Sequence, residues 1–110
     1  MASRVGDIYF TTDSTAISRW KAGAVTEFCR GLAEPQWLAC DSASLYCLSA
    51  SSRTLHRIAP DSKVARASLA NANLERDNNT RGFQAAADGH LLIASGSRIA
   101  ELDTVKLDWR

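Results

Sequence analysis

The sequence predicts an all-β protein made of repeated antiparallel units of about four strands. Short apolar runs alternate with a period of two residues, and Gly, Asp, Ser, Asn and Pro separate them, as in strands joined by turns. A two-strand pattern recurs, so that Leu55 follows the equivalent Ile17 after 38 positions and Ile99 follows after another 44. Strand repeats of roughly 40–50 residues are typical of β-propeller blades. The middle runs are apolar on both faces, which fits sheets covered on both sides.

The repeats divide a single domain, residues 1–110, into three predicted blades at about 7–28, 36–67 and 82–109. Four strands are expected in each of the second and third blades. Only three are expected in the first, because few residues precede Asp7. The expected strands are about 7–13, 16–21, 24–28, 36–41, 44–49, 53–58, 63–67, 82–87, 90–95, 97–103 and 105–109. An irregular β-sandwich is the alternative fold, and a short helix at 65–76 is the alternative for that segment.

The composition is that of an ordinary globular chain without a strong charge preference. Of 110 residues, 45% are hydrophobic and 23% charged, and the net charge is +1. Nucleic-acid-binding domains normally carry a strongly basic surface, so no nucleic-acid partner is expected. No apolar run approaches the roughly 20 residues of a membrane-spanning helix, and no signal-peptide core follows Met1. We therefore expect a cytoplasmic protein without a membrane partner, although a signal removed from a longer precursor would leave the same sequence.

The three cysteines fit reduced thiols better than a disulfide framework, because their number is odd and no signal sequence precedes them. If residues 42 and 43 form a turn, Cys40 and Cys47 share one sheet face on a diagonal. We interpret them as small apolar core residues. A disulfide between them is the alternative. A zinc site lacks a CxxC motif or a matching pair of histidines.

The second repeat has an order of motifs found in a known class of proteins. The run 35–41 reads Pro-Gln-Trp-Leu-Ala-Cys-Asp, Leu45-Tyr46 follows it, and Leu55-His56-Arg57-Ile58 precedes Lys63-Val64. This order resembles a blade of the NHL or SMP-30-type β-propellers, over about two and three-quarter blades of the chain. The resemblance implies a partial β-propeller and leaves function open, because such propellers host many activities. The hairpin glycine is absent between Cys40 and Leu45, and the acidic and Asn ligands of the lactonase branch cannot be matched one by one.

Candidate binding residues fall in loops predicted to share one rim of the blades. Loops held on a rigid scaffold commonly bind ligands. In the longest loop, about 68–81, Arg76 and Arg81 can grip a carboxylate or a phosphate. The alternative is a solvated loop, and calcium binding by 77–79 lacks EF-hand spacing and enough ligands. The candidate rim residues are Arg53, Arg76, Asp77, Asn78, Asn79, Arg81 and Arg98.

No catalytic motif stands out in the sequence. His56 and His90 are most of a repeat apart, and neither has a clustered partner. No GxSxG nucleophile elbow or phosphate-binding glycine loop is present. We therefore expect no catalytic residue, no cofactor and no metal. Trp20 and Trp109 are predicted to pack at blade seams or to anchor another chain, since tryptophan is enriched among interface hot spots.

The leading functional hypothesis is a non-enzymatic binding or scaffold module that acts through protein–protein interaction or its polar rim loops. The two end blades would expose apolar faces and open edges, which soluble proteins usually cover. Two copies would supply about six blades, so a homodimeric ring is favoured, with another protein chain as the alternative partner. A partner segment is expected to complete the first blade by β-augmentation. A small metal-dependent hydrolase of the SMP-30 or gluconolactonase type is the alternative function, and a segment of a larger propeller is equally compatible.

Overall fold

The protein folds into three antiparallel sheets of four strands each, within the residues that the structure describes. No helix in this part of the chain is long and apolar enough to cross a membrane. The computed structural model describes residues 2–4, 7–11, 15–32, 35–41, 44–49, 53–69, 80–86, 89–95 and 98–109.

Consecutive strands are neighbours in every sheet, so that each sheet is an up-and-down blade. Blade 1 contains β1 (Ala2–Arg4), β2 (Asp7–Thr11), β3 (Ala16–Lys21) and β4 (Ala24–Arg30). Blade 2 contains β5 (Trp37–Cys40), β6 (Leu45–Ser49), β7 (Thr54–Ile58) and β8 (Val64–Ser68). Blade 3 contains β9 (Thr80–Ala85), β10 (His90–Ser95), β11 (Arg98–Asp103) and β12 (Asp108–Trp109). Because β1 contacts β5 and β5 contacts β9, the first strands of the blades lie side by side.

Blade 1 contains a strand that the sequence pattern did not predict. Ser3 in β1 lies opposite Ile8 in β2, in antiparallel register. The expectation of a three-stranded first blade is therefore wrong, and the position reserved for a partner's strand is already filled. A strand of three residues is too short to show an alternating pattern, but a neighbouring strand is enough to hold it by backbone hydrogen bonds.

The three blades share one cross-strand register between their second and third strands. The third strands begin at the equivalent residues Ala16, Thr54 and Arg98, and the apolar residue that follows in each is Ile17, Leu55 or Ile99. The pairs at the next equivalent position of the same face are Tyr9–Arg19, Tyr46–Arg57 and Leu92–Glu101. Each position of one blade can therefore be compared with its equivalent in the other two.

Among the described residues the core forms two apolar clusters, one at each interface between adjacent blades. We call the interface of blades 1 and 2 the first seam and that of blades 2 and 3 the second seam. The first seam buries Tyr9, Ile17, Cys29, Leu32, Leu38, Leu45, Cys47 and Ile58. The second seam buries Ala39, Tyr46, Leu48, Leu55, Ala67, Leu69, Leu91, Ile93 and Leu102. Strand β6 contributes alternate residues to both clusters and is buried along its whole length, as the two-sided apolar pattern predicted.

None of the three cysteines forms a disulfide bond. Cys40 lies opposite Leu45 and Cys47 opposite Leu38, so the two cysteines share a face on a diagonal, as expected. Both belong to the first seam, where Cys40 is only partly buried. Burial raises the pKa of the Cys47 thiol to about 12 and also raises the pKa of Cys29. These cysteines therefore act as small apolar side chains, and no disulfide joins Cys40 to Cys47.

Candidate functional site

The predicted rim residues are only partly described by the structure. Arg53 lies in the turn before β7, with a left-handed φ of 50°. Arg98 begins β11 and is exposed, and Arg81 lies within β9. Arg76, Asp77, Asn78 and Asn79 lie outside the described residues, so the rim site stays a prediction. No group of three or more His, Cys, Asp or Glu side chains in the described part of the chain is placed to hold a metal ion.

The outer side of blade 1 presents an apolar surface, which we call the blade-1 face. It is formed by Ile8, Phe10, Trp20 and Val25. Trp20 lies opposite Ile8 on one side and opposite Val25 on the other, so these side chains share a face. The intervening Tyr9 points the other way, into the first seam. Trp20 remains 39% exposed, which places this predicted interface residue at the centre of an uncovered apolar surface.

The outer side of blade 3 presents a second apolar surface, which we call the blade-3 face. Leu92 is 37% and Ile99 is 69% exposed there, and Ala94 lies between them, opposite Ile99. A shallow cavity of about 190 Å³ opens on this face, lined by Gly82, Phe83, Gln84, Leu92, Ala94 and Ile99. At its border Glu101 lies opposite Leu92 and forms an ion pair with His90 if the imidazole is protonated.

In blades 1 and 2, the residues equivalent to those of the blade-3 face are covered by the next blade. Ile17 in blade 1 and Leu55 in blade 2 take the position of Ile99, and both are fully buried because the next blade packs on them. Tyr46 takes the position of Leu92 and is buried in the second seam. Ile99 and Leu92 therefore occupy seam positions that no blade among the described residues covers.

The same comparison applies to the blade-1 face. Ile58 in blade 2 and Leu102 in blade 3 take the position of Trp20, and both are fully buried against the preceding blade. Cys47 takes the position of Phe10 and is fully buried in the first seam. The blade-1 face therefore has the residue pattern of a surface that packs onto a preceding blade.

A polar cluster crosses the second seam at the rim opposite the predicted loops. Arg57 donates from Nη1 to the carbonyl oxygens of Thr104 at 2.5 Å and Val105 at 3.0 Å. Tyr46 donates its hydroxyl to Asp41 Oδ2 at 2.7 Å. Burial, and then this bond to Asp41, raise the pKa of Tyr46 to about 12, so the phenol stays neutral and remains a donor.

This cluster was missed by the sequence reasoning, although a signal for it exists. Arg19 and Arg57 occupy the same position of successive repeats, two residues after Ile17 and Leu55. A cavity of about 310 Å³ lies beside Arg57, lined by Asp41, Ser44, Tyr46, Arg57, Thr104 and Val105. Since its charged groups are used in bonds within the chain, the cluster holds two blades together.

Trp109 lies at the second seam within the chain. Its indole Nε1 donates to the carbonyl oxygen of Ser68 in β8 at 2.8 Å, and its ring packs against the second-seam cluster. An open groove of about 530 Å³ runs beside it, lined by Ala67, Ser68, Leu107, Asp108 and Trp109. The predicted packing position of Trp109 agrees with this placement, and a role toward another chain stays a prediction.

His56 is buried in the first seam, opposite Cys47. It is 4% exposed, and neither ring nitrogen has a hydrogen-bond partner among the described residues. Burial, and then the nearby positive charge of Arg66, lower the pKa of His56. The ring is therefore neutral at pH 7. Its two nitrogen atoms are buried in the seam without a hydrogen-bond partner among the described residues, which is costly for a polar group.

Three stacked four-stranded antiparallel blades, with their first strands together, define this chain as three blades of a β-propeller. Among solved structures it is similar to virginiamycin B lyase from Staphylococcus aureus, a β-propeller, with a TM-score of 0.75 and 17% sequence identity. The match covers 100% of this chain and 38% of the lyase, so the chain spans well under half the length of that protein. At this identity the likeness shows the fold alone. No family model and no curated protein matches the chain.

Proposed function

We propose that this chain is a non-enzymatic interaction module, built from blades of the NHL or SMP-30 type, that associates through its two end faces. The observation that carries this proposal is the contrast between equivalent positions. Leu55 is fully buried by the next blade, whereas Ile99 in the same position is 69% exposed. A surface with the residue pattern of a seam and without a covering blade is suited to packing on another blade.

The physical basis of association is burial of apolar area. Burying one Leu, Ile or Phe side chain completely stabilises the associated state by roughly 1.5–3 kcal/mol. Part of this free energy offsets the rotational and translational entropy lost on association, and only the remainder appears as affinity. The blade-1 face offers Trp20 as a large aromatic anchor, the residue type most enriched among interface hot spots. Ile99 and Leu92 on the blade-3 face can bury comparable apolar surface.

The partner is a second copy of the chain. Both kinds of end face are present on one molecule, so two copies can cover all of their end faces without any other protein. Three blades from each copy give a ring of about six, which lies within the size range of closed propellers. A homodimer with two-fold symmetry is the smallest assembly that achieves this.

The test is the absolute molar mass in solution, measured by light scattering behind a size-exclusion column over a concentration series. The expected mass is about twice 11.9 kDa. The variant Ile99→Glu should give a folded monomer with an unchanged far-ultraviolet spectrum. The matched control is Val105→Glu, because Val105 is also exposed but lies in the turn between β11 and β12 and on neither end face. A wild-type monomer at every concentration, or a dimer that survives both Ile99→Glu and Trp20→Glu, would contradict the proposal.

A further inference from the structure

We infer that the first seam opens in mild acid: protonation of His56 separates blade 1 from blade 2, while the second seam stays closed. This switch acts within the chain and is separate from association through the end faces. Its elements are one buried imidazole, the charges around that ring and the difference between the two seams.

The imidazole of His56 is buried in the first seam without a hydrogen bond. The residue is 4% exposed, and both ring nitrogens are buried without a partner among the described residues. It lies opposite Cys47, which belongs to the first-seam cluster. A proton added to this ring creates a cation with two N–H donors, neither of which has an acceptor among the described residues. A buried cation of this kind is costly, so protonation works against the closed seam.

The neighbours of His56 within blade 2 also oppose its protonation. Arg66 on β8 lies directly opposite His56. Burial, and then the positive charge of Arg66, lower the pKa of His56. On β6 the neighbour is the Cys47 thiol, whose pKa burial raises to about 12, so it remains neutral. Blade 2 therefore places one positive and one neutral group beside the ring.

Blade 1 does not supply a compensating negative charge. Its groups that face the first seam are the phenol of Tyr9, the thiol of Cys29 and the guanidinium of Arg19. The carboxylate of Glu27 on β4 acts on Cys29 and accepts a hydrogen bond from Arg30 at 2.7 Å. It is not among the charges that act on His56. Among the described residues, a protonated His56 therefore has a positive neighbour and no negative one.

The second seam has no equivalent of this imidazole. Ala100 in blade 3 takes the place of His56 and is 2% exposed. The other histidine of the chain, His90, lies on the blade-3 face. Across the second seam, Arg57 and Trp109 donate hydrogen bonds, and both side chains keep their protons between pH 5 and pH 7. Lowering the pH over this range therefore weakens the first seam selectively.

Linkage sets the direction and the range of the effect. In the separated seam His56 meets water, and its pKa returns toward the ordinary value of 6.5. Because its pKa is lower in the closed seam, the open form binds the proton more tightly. The closed seam is fully stabilised above pH 6.5. Below that value the opening equilibrium rises by at most about tenfold per pH unit, down to the pKa of the closed form.

The test compares the reactivity of two thiols as the pH falls from 7 to 5. Cys47 is fully buried in the first seam, whereas Cys40 is partly exposed and serves as the internal reference for the reagent. Dithiodipyridine is suitable because it reacts with thiols in acid, and peptide mass spectrometry assigns the sites. The ratio of the Cys47 rate to the Cys40 rate should rise severalfold. The Trp109 indole N–H, which marks the second seam, should keep its protection factor against hydrogen exchange.

Three variants assign the effect. His56→Gln should abolish the rise, because glutamine is polar but binds no proton in this range. Arg66→Gln leaves the buried residue in place and should reduce the rise, because removing the positive charge brings the pKa of His56 in the closed seam closer to 6.5. His90→Gln is the matched control and should retain the full rise. A constant ratio in the wild type, a rise that persists in His56→Gln, or loss of Trp109 protection over the same pH range would overturn the inference.

Discussion

Arg57 in blade 2 donates a hydrogen bond to the carbonyl oxygen of Thr104 in blade 3, across 47 positions of sequence. The same nitrogen reaches Val105 at 3.0 Å. The donor is charged, and both acceptors lie in the turn between β11 and β12. The Arg57 side chain of blade 2 therefore fixes the position of this blade-3 turn against blade 2.

Replacing Arg57 should weaken the second seam. Arg57→Ala removes charged hydrogen bonds to two carbonyl oxygens and should lower the free energy of unfolding by about 1.5–3 kcal/mol. Urea denaturation followed by tryptophan fluorescence measures this loss. Lys63→Ala is the control, since that side chain is exposed and its ion pair with Asp61 is long, at 3.9 Å. Equal stability of the two variants would show that the seam does not depend on Arg57.

Leu55 and Ile99 provide a matched pair for the seam packing. Leu55→Ala creates a cavity in the second seam and should cost about 2–5 kcal/mol. Ile99→Ala, measured at a concentration where the chain is monomeric, should cost less than about 0.5 kcal/mol, because the side chain is exposed. In the dimer the same Ile99 substitution should instead raise the dissociation constant. Comparable losses for the two variants in the monomer would contradict the assigned positions.

His56 should make the first seam sensitive to acid. Because its pKa is lowered in the folded protein, the unfolded chain binds its proton more readily, and protonation favours unfolding. This contribution to stability is complete above the ordinary pKa of 6.5 and is lost as the pH falls below that value toward the folded pKa. His56→Leu should flatten the dependence of unfolding free energy on pH between about pH 7 and pH 5.

The control for His56 is His90→Gln, which changes the histidine that pairs with Glu101 on the blade-3 face. Urea denaturation at a series of pH values should show a smaller loss of stability toward acid for His56→Leu than for His90→Gln. If the two variants have the same profile as the wild type, the buried imidazole is not the group that senses acid.

The cysteines should differ in reactivity in the folded protein. Cys40 is partly exposed, whereas Cys29 and Cys47 are buried and their raised pKa values leave little thiolate. Iodoacetamide at about pH 8 should therefore modify Cys40 at least about tenfold faster than Cys47, and urea should remove the difference. Peptide mass spectrometry assigns the modified sites. Early modification of Cys47 in native protein would mean that the first seam opens often.

The sequence predicted the parts of the fold that depend on local pattern. The repeat at Ile17, Leu55 and Ile99 is visible because each strand carries its own alternation, and the apolar faces of 45–49 require cover on both sides. Strand β1 was missed because three residues carry no alternation. Exposed end faces are expected from the blade count, but no local pattern distinguishes Trp20, which lies on one of them, from Trp109, which packs at the second seam.

The seam contacts could not be predicted from the sequence alone. Arg57 and Thr104 are far apart in the chain, and their contact depends on how one blade is rotated against the next, which no local pattern encodes. Arg57 and Glu101 occupy equivalent positions of blades 2 and 3, and only the strand register shows this equivalence. The longest predicted rim loop, which contains the candidate binding residue Arg76, lies mostly outside the described residues.

Strand β6 faces both apolar clusters, and this has a consequence for how the chain opens. In the monomer, each outer blade shares a cluster with the middle blade alone, so its stability is coupled to that of the other outer blade only through blade 2, as in a one-dimensional array of nearest neighbours. Detachment of blade 3 leaves the first seam whole, whereas loss of blade 2 deprives both outer blades of their packing. Backbone amides of Leu45–Ser49 should therefore exchange their hydrogens with solvent only in the globally unfolded state, while those of β4 and β12 exchange through partial openings at the ends of the array.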